Sequence, residues 1–164
     1  TGAAAHMMIE EFGKGVNIYK SMGEMAVVDE YHERKLGRHI PLHVNSCGKS
    51  ILAFSSEGRV NEIINKHGLQ KKTKNTITDR EVLFDQLSTI KERGYALNDE
   101  EEIKGTRAVA APVCDPNDQV LGAISLSAPV SRIDLETIHG QLSKKLKEGT
   151  NLIEVHISSQ RSFV

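Results

Sequence analysis

The segment from Gly37 to Ala53 constrains the fold of this chain more than any other. It starts as an extended stretch around Pro41, passes through a short polar turn, and then predicts a helix that begins with small residues near Gly48. The first N–H groups of a helix have no acceptor within the helix, so this start aims several donors at one point. The segment therefore predicts a site for a small anion.

Hydrophobic patterning separates strand-like from helix-like segments in the rest of the chain. Alternation and short apolar runs predict strands, whereas apolar residues three and four apart predict helices. The predicted strands are residues 15–20, 25–31, 95–97, 107–113 and 119–127. The predicted helices are residues 48–54, residues 57–66, one that Thr78 caps and that ends at Gly94, and one that starts at Ile133 and continues past Gly149. Adjacent strands, with helices grouped between and after them, predict an α+β fold with antiparallel pairing.

Length, charge and cysteine content limit the class of protein. A chain of 164 residues suits one domain, and a formal net charge of −1 offers no basic surplus for binding DNA directly. The sequence has no apolar run of about 18 residues, so we predict no membrane span. Two cysteines, Cys47 and Cys114, do not make a disulfide framework. We therefore expect a cytoplasmic protein with both thiols reduced.

The first seven residues, 1–7, look like a remnant of cloning, and we leave them out of the predicted fold. The predicted domain accordingly covers residues 8–164. It begins abruptly at Met8, close to a strand, which predicts that further sequence preceded it in a longer protein.

Gly48-Lys49-Ser50 resembles the end of a nucleotide-binding phosphate loop. That loop needs another glycine five positions earlier, where this chain has His43, so the spacing argues against nucleotide binding.

His39, His43 and Cys47 are four residues apart, a spacing that would align metal ligands on a helix. The proline between the two histidines favours extended backbone instead, in which residues four apart lie about 13 Å from each other. We therefore predict no metal site. A zinc site that joins one of these residues to Cys114 or His32 remains an alternative.

Cys47 lies at the predicted helix start, an environment that lowers the pKa of a thiol. A thiol-dependent redox enzyme or sensor using Cys47 or Cys114 is therefore an alternative function.

The acidic run that ends with Glu101 and Glu102 is predicted as a solvated loop, with one of these carboxylates pairing with Arg107 or Lys49.

Ser125 and Ser127 alternate with Leu126 in a predicted strand, so both hydroxyls point to the same face of the sheet. Hydroxyls are costly to bury without a hydrogen-bond partner. They either bond to neighbouring backbone or line a polar pocket, for which Ala108 and Ala110 would leave room on the next strand.

A set of short motifs follows one order along residues 13–150. It comprises Arg38, Pro41-Leu42-His43, Gly48-Lys49, Leu52-Ala53, Thr76-Ile77, Arg93-Gly94-Tyr95-Ala96, Asp99-Glu100-Glu101, Gly105, Arg107, Ala110-Ala111-Pro112-Val113, Ala123-Ile124-Ser125 and Pro129-Val130-Ser131-Arg132. On these motifs the chain resembles the C-terminal effector-binding domain of IclR-family transcriptional regulators.

The resemblance implies a GAF-like fold, in which helices pack around a curved, mainly antiparallel sheet. It implies a regulator without enzymatic activity or cofactor, in which a separate N-terminal winged helix-turn-helix binds DNA. It also implies a homodimer or homotetramer that responds to a small-molecule effector, an organic acid.

The resemblance also implies positions that contact the effector. They are Ser46, Cys47, Gly48, Asn98, Ala108, Ser125 and Ser127. Asn98 stands where relatives can have aspartate, Ala108 where they can have cysteine, and Cys47 replaces a common alanine. These departures imply a ligand different from the small keto-acids that some relatives sense. Asp29 and His32 are expected in a segment that covers the pocket.

Overall fold

The computed structural model describes residues 2–24 and 36–161. Its strands are β1 (Ala4–Glu11), β2 (Lys14–Ser21), β3 (His39–Ile40), β4 (Ala96–Asp99), β5 (Thr106–Cys114) and β6 (Val120–Pro129). They form one sheet in the order β3-β2-β1-β6-β5-β4, with neighbouring strands antiparallel. The first and last strands of the sequence, β1 and β6, are therefore neighbours in the middle of the sheet.

Helices connect and follow the strands. They are a 3-10 turn (Leu42–Val44), α1 (Ser46–Phe54), α2 (Glu57–His67), α3 (Arg80–Arg93), the short α4 (Leu135–Thr137), a π-helical segment (Ile138–Leu142) and α5 (Ser143–Arg161). None of the described helices is long and apolar enough to cross a membrane.

The sheet has a hydrophobic core on each face. Because side chains alternate along a strand, β5 directs Ala110 toward the core formed with α1, α2 and α3, and Val109 and Ala111 toward the core formed with α5. Leu83 and Ile90 of α3 are fully buried in the first core. Helices on both faces of an antiparallel sheet confirm the predicted α+β class.

Most predicted elements are present with shifted ends. The predicted strand 15–20 corresponds to β2, strand 95–97 to β4, and strands 107–113 and 119–127 to β5 and β6. The helix expected after Thr78 is capped instead by Asp79, whose Oδ1 accepts a hydrogen bond of 3.0 Å from the N–H of Val82. The predicted strand 25–31, including Asp29, and the nearby His32 lie outside the described residues.

The start of the chain differs from the prediction. Residues 4–7 were left out of the predicted fold, but they form the first half of β1 and pair with both β2 and β6. These residues look like a remnant of cloning in the sequence, whereas the structure buries alternate side chains, Ala4 and His6, as in a strand with one face against the core.

Gly48 allows α1 to approach the preceding 3-10 turn closely. A Cβ atom at this position would lie 2.0 Å from the carbonyl oxygen of Leu42 and 2.5 Å from its Cα. Both are backbone atoms, which cannot move aside as a flexible side chain can. A side chain at position 48 would therefore push the start of α1 away from the turn.

Replacing Gly48 with alanine is expected to lower the free energy of unfolding by about 2 kcal/mol or more, because of this backbone clash. Gly58→Ala is the matched control, since an added Cβ on α2 meets nothing within 4 Å and alanine favours helix. Urea unfolding of both variants measures the difference. Equal stability of the two would contradict the close-approach argument.

Candidate functional site

A cavity lies where the start of α1 meets the centre of the sheet and the loop after β4. Its lining consists of His6, Met8, Asn17, Asn45, Ser46, Cys47, Asn98, Glu102, Ile103, Thr106, Ala108, Ser125 and Ser127. Its free volume is about 40 Å³, enough for a few water molecules. The structure thus brings together all the predicted contact residues except Gly48.

Strand pairing explains how distant residues meet at this cavity. Ala108 is paired with Asn98 on one side and with Ser127 on the other, so the three form one row across the sheet. In the next row, Ser125 is paired with His6. The methyl side chain of Ala108 is short enough to leave free space between the polar groups of its neighbours.

The start of α1 supplies backbone donors. Asn45 caps the helix, and its Oδ1 accepts a hydrogen bond of 2.8 Å from the N–H of Gly48. Gly48 is a predicted contact residue, but its N–H is used within the fold. The helix offers no acceptor to the N–H groups of its first residues, Ser46 and Cys47, which line the cavity.

Two nearly buried serines of β6 line the cavity. Ser125 is 6% exposed and Ser127 8% exposed. Neither hydroxyl forms a hydrogen bond with any residue in the described part of the chain. The first alternative from the sequence, bonding to neighbouring backbone, is therefore wrong for these residues, and their polar groups face the cavity.

A buried ion pair joins α1 to the loop after β4. Lys49 is 0% exposed, and its Nζ donates to Glu101 Oε1 at 2.6 Å and to Gln86 Oε1 at 2.7 Å. Burial lowers the pKa of Lys49 and raises the pKa of Glu101, and the opposite charge of each partner offsets part of the other's shift. The structure thus selects one of the pairings left open by the sequence, and Arg107 pairs instead with Asp99 at 2.6 Å.

Sequence reasoning missed several residues that line the cavity. His6 was missed because residues 1–7 had been set aside, although its alternation with Met8 matches a strand with one buried face. Asn45 carried a usable signal, since asparagine is a preferred residue immediately before a helix. Asn17 and Glu102 carried no signal in the sequence, because strand order and the path of the loop decide what they contact.

The residues weighed as metal ligands lie apart. His39 contacts Glu11 at 2.8 Å, and His43 Nε2 lies 3.0 Å from the carbonyl oxygen of Gln70. Within residues 2–24 and 36–161, there is no group of three or more histidine, cysteine or acidic side chains that could hold a metal ion. The described residues therefore lend no support to the zinc alternative.

The thiols give little support to redox chemistry. Cys47 is buried, with its Sγ 3.7 Å from the carbonyl oxygen of Ala123. For Cys114, burial and the nearby carboxylates of Glu154, Asp118 and Asp115 raise the thiol pKa to about 11. A raised pKa disfavours the reactive thiolate.

Comparison with known proteins gives a consistent result. The family model described as "Bacterial transcriptional regulator IclR C-terminal" matches residues 1–155. A probable helix-turn-helix-type transcriptional regulator, ArcR of Halobacterium salinarum, is 37% identical over 159 residues, which are 97% of this chain and 60% of the relative. The helix-turn-helix-type regulator XynR of Escherichia coli is 34% identical over 134 residues, 82% of this chain and 52% of the relative.

The fold also matches a solved structure. The IclR protein of Thermotoga maritima superposes with a TM-score of 0.87 at 33% identity, over 96% of this chain and 62% of that one. The described sheet and helices thus have the arrangement of an IclR C-terminal domain, which confirms the GAF-like α+β prediction. The chain spans between half and two thirds of these relatives, which are named as transcriptional regulators rather than enzymes.

Lys49→Met is expected to lower the free energy of unfolding by about 3–5 kcal/mol, because the Glu101 carboxylate would stay buried without its counter-charge. Replacing both residues with methionine is expected to recover most of that loss. Urea unfolding at neutral pH compares the variants. A single variant as stable as the double would show that the pair is not electrostatically coupled.

Alkylation of Cys114 by iodoacetamide is expected to be slow at pH 8, where a pKa of about 11 leaves about one thiol in a thousand ionised. The rate should rise about tenfold per pH unit up to that pKa, because the thiolate is the nucleophile. Mass spectrometry of a Cys47→Ala variant isolates this thiol. A rate at pH 8 equal to that of free cysteine would contradict the raised pKa.

Proposed function

This chain belongs to the IclR family of bacterial transcriptional regulators, as its C-terminal domain, and from this premise we propose that it senses a small organic acid at the cavity beside α1. The observation that carries the proposal is the convergence of unpartnered polar groups there. The hydroxyls of Ser125 and Ser127 and the side-chain amide nitrogen of Asn98 form no hydrogen bond with described residues. Polar groups at a cavity in the centre of a domain are typical of a small-molecule site.

The acid's carboxylate would bind at the start of α1. The N–H groups of Ser46 and Cys47 and the positive end of the helix dipole favour a negative charge there. Ser125, Ser127 and Asn98 would then bond the remaining polar atoms of the ligand. Ala108 provides the room in which such a ligand would lie.

Ligand binding would act on the assembly of the whole regulator. Glu102, Ile103 and Thr106 of the loop after β4 line the cavity, so a bound molecule would contact this loop directly. We propose that residues 98–105, together with residues 29–38, transmit the change to the contacts between subunits of a homodimer or homotetramer. The spacing of separate N-terminal DNA-binding domains would change as a result.

This proposal places the regulator in the cytoplasm and makes the domain a sensor that binds DNA only through its N-terminal partner domain. The net charge of −1 supports that division, because a domain that binds DNA alone usually has a basic surplus. The proposal includes no catalytic step, metal ion or cofactor.

The double variant Ser125→Ala/Ser127→Ala is expected to keep the fold and lose effector binding, since these hydroxyls bond to no described residue. A thermal-shift screen against small organic and sugar acids provides the measurement. A ligand at about 100 times its Kd should stabilise the wild-type domain by about 2.7 kcal/mol.

Ser21→Ala is the matched control, because Ser21 is an exposed strand residue at the end of β2. It should show the same ligand-induced shift as the wild type. An equal shift in the double variant would overturn the assignment of the cavity as the effector site.

A further inference from the structure

A second cavity lies at the surface, between the segment that precedes α3 and the loop that joins β4 to β5. Residues 72–75 line one side of it, and Glu100 and Lys104 line the other. Its free volume is about 350 Å³, which is within the range of cavities that hold small molecules. It shares no lining residue with the cavity beside α1. Three of its six lining residues are lysines, so it is called the lysine cavity below.

The three lysines of this cavity, Lys72, Lys74 and Lys104, are exposed. In the described part of the chain, no residue forms an ion pair or a hydrogen bond with any of their ammonium groups. Arg107, in the strand that follows the same loop, is by contrast paired with Asp99. Unpaired like charges around one cavity repel one another, so an anion bound among them would lower the electrostatic free energy.

Glu100 is the acidic residue of the lysine cavity, and it does not neutralise the lysines. Its Oε2 accepts a hydrogen bond of 2.7 Å from the N–H of Gly105, which ties the carboxylate to its own loop. One negative charge against three positive charges leaves a surplus of two positive charges in the lining. That surplus matches an anion with two or more negative charges.

Hydrogen bonds hold the two sides of the lysine cavity together. Thr73 Oγ1 donates to the carbonyl oxygen of Glu100 at 2.7 Å, and Asn75 Nδ2 donates to the carbonyl oxygen of Asp99 at 3.1 Å. Thr76 Oγ1 accepts a further bond of 2.8 Å from the N–H of Thr73. These bonds fix the backbone from which the lysines extend, so little ordering of the backbone is needed when a ligand binds.

We infer that the lysine cavity binds a small molecule that carries a phosphate or diphosphate group. Lysine ammonium groups bind phosphate as point charges, and each donates a charge-assisted hydrogen bond to a phosphate oxygen. A monocarboxylate has too little charge to match the surplus of the lining. The organic acid proposed above would bind beside α1, so this site and its ligand are separate from the proposed function.

Duplex DNA is the other phosphate-bearing ligand that lysines commonly contact. A DNA-binding surface normally has a basic stripe along several phosphates, whereas these lysines surround one cavity that also contains Glu100. The net charge of −1 is also low for such a surface. The geometry therefore favours a small molecule.

Isothermal titration of pyrophosphate into this chain at low ionic strength tests the inference. The wild type is expected to bind pyrophosphate at least about tenfold more tightly than acetate, and added salt should weaken binding because exposed charges are screened. The double variant Lys72→Gln/Lys104→Gln should lower the affinity for pyrophosphate at least about tenfold, because it removes two charge-assisted hydrogen bonds.

Lys144→Gln/Lys145→Gln is the matched control, because it removes the same charge from exposed positions of α5 and should bind as the wild type. Glu100→Gln should act in the opposite direction. It removes the opposing charge, keeps an oxygen for the N–H of Gly105, and is expected to tighten binding about two- to fivefold. Thermal unfolding of each variant without ligand confirms that the fold is kept.

Hydrogen exchange locates the bound anion. Pyrophosphate is expected to protect residues 72–76 and 98–105, and the variant Ser125→Ala/Ser127→Ala should bind it as the wild type does. Loss of binding in that serine variant, or protection confined to residues 45–50, would place the anion beside α1 and overturn the inference.

Two further outcomes would also contradict a small-molecule site. The first is absence of pyrophosphate binding, or equal weakening in both lysine double variants. The second is binding of a mixed-sequence DNA duplex that only Lys72→Gln/Lys104→Gln weakens, without binding of pyrophosphate, which would make these lysines a DNA contact. The organic-acid function is tested separately by the thermal-shift screen, so failure of one proposal leaves the other unaffected.

Discussion

Helix α1 is buried at the centre of the domain, and its polar residues require partners from the surrounding elements. Every residue from 46 to 53 is buried between the sheet and α3, although the helix includes a lysine and two serines. Buried polar groups need internal partners, because none of them can bond to solvent. Asn45 supplies an acceptor for the N–H of Gly48, and Glu101 supplies the counter-charge for Lys49. The first residues of the helix, Ser46 and Cys47, then line the cavity.

The Lys49–Glu101 pair also connects stability to the geometry of the site. Removing two charges from water costs much of the free energy that their attraction gains, so the pair contributes little net stability. Loss of one partner is strongly destabilising, because it leaves a buried charge without a counter-charge. Glu101 precedes Glu102 and bonds Asn98 through its own N–H, and both neighbours line the cavity. Any movement of this loop would therefore break the ion pair or move α1 with it.

The side chains at the centre of the sheet are small and leave free space above it. Ala108 pairs with Ser127 and Ala110 with Ser125. These four short side chains leave room between β5, β6 and the start of α1. Larger apolar residues in β5, such as Val109, face the opposite core instead. The same alternation that builds two cores thus leaves free space over one part of the sheet.

The α+β class, the end of α3 at Gly94 and the shared face of Ser125 and Ser127 follow from the sequence alone, because periodicity and capping act over a few residues. Most of the candidate contact positions were also predictable, through the order of the family's motifs. Three features depend on long-range packing: residues 4–7 form a central strand, Glu101 pairs with Lys49, and Asn45 and Asn98 line one cavity. Those contacts join residues far apart in the chain, and strand order and loop path, which no local pattern encodes, bring them together.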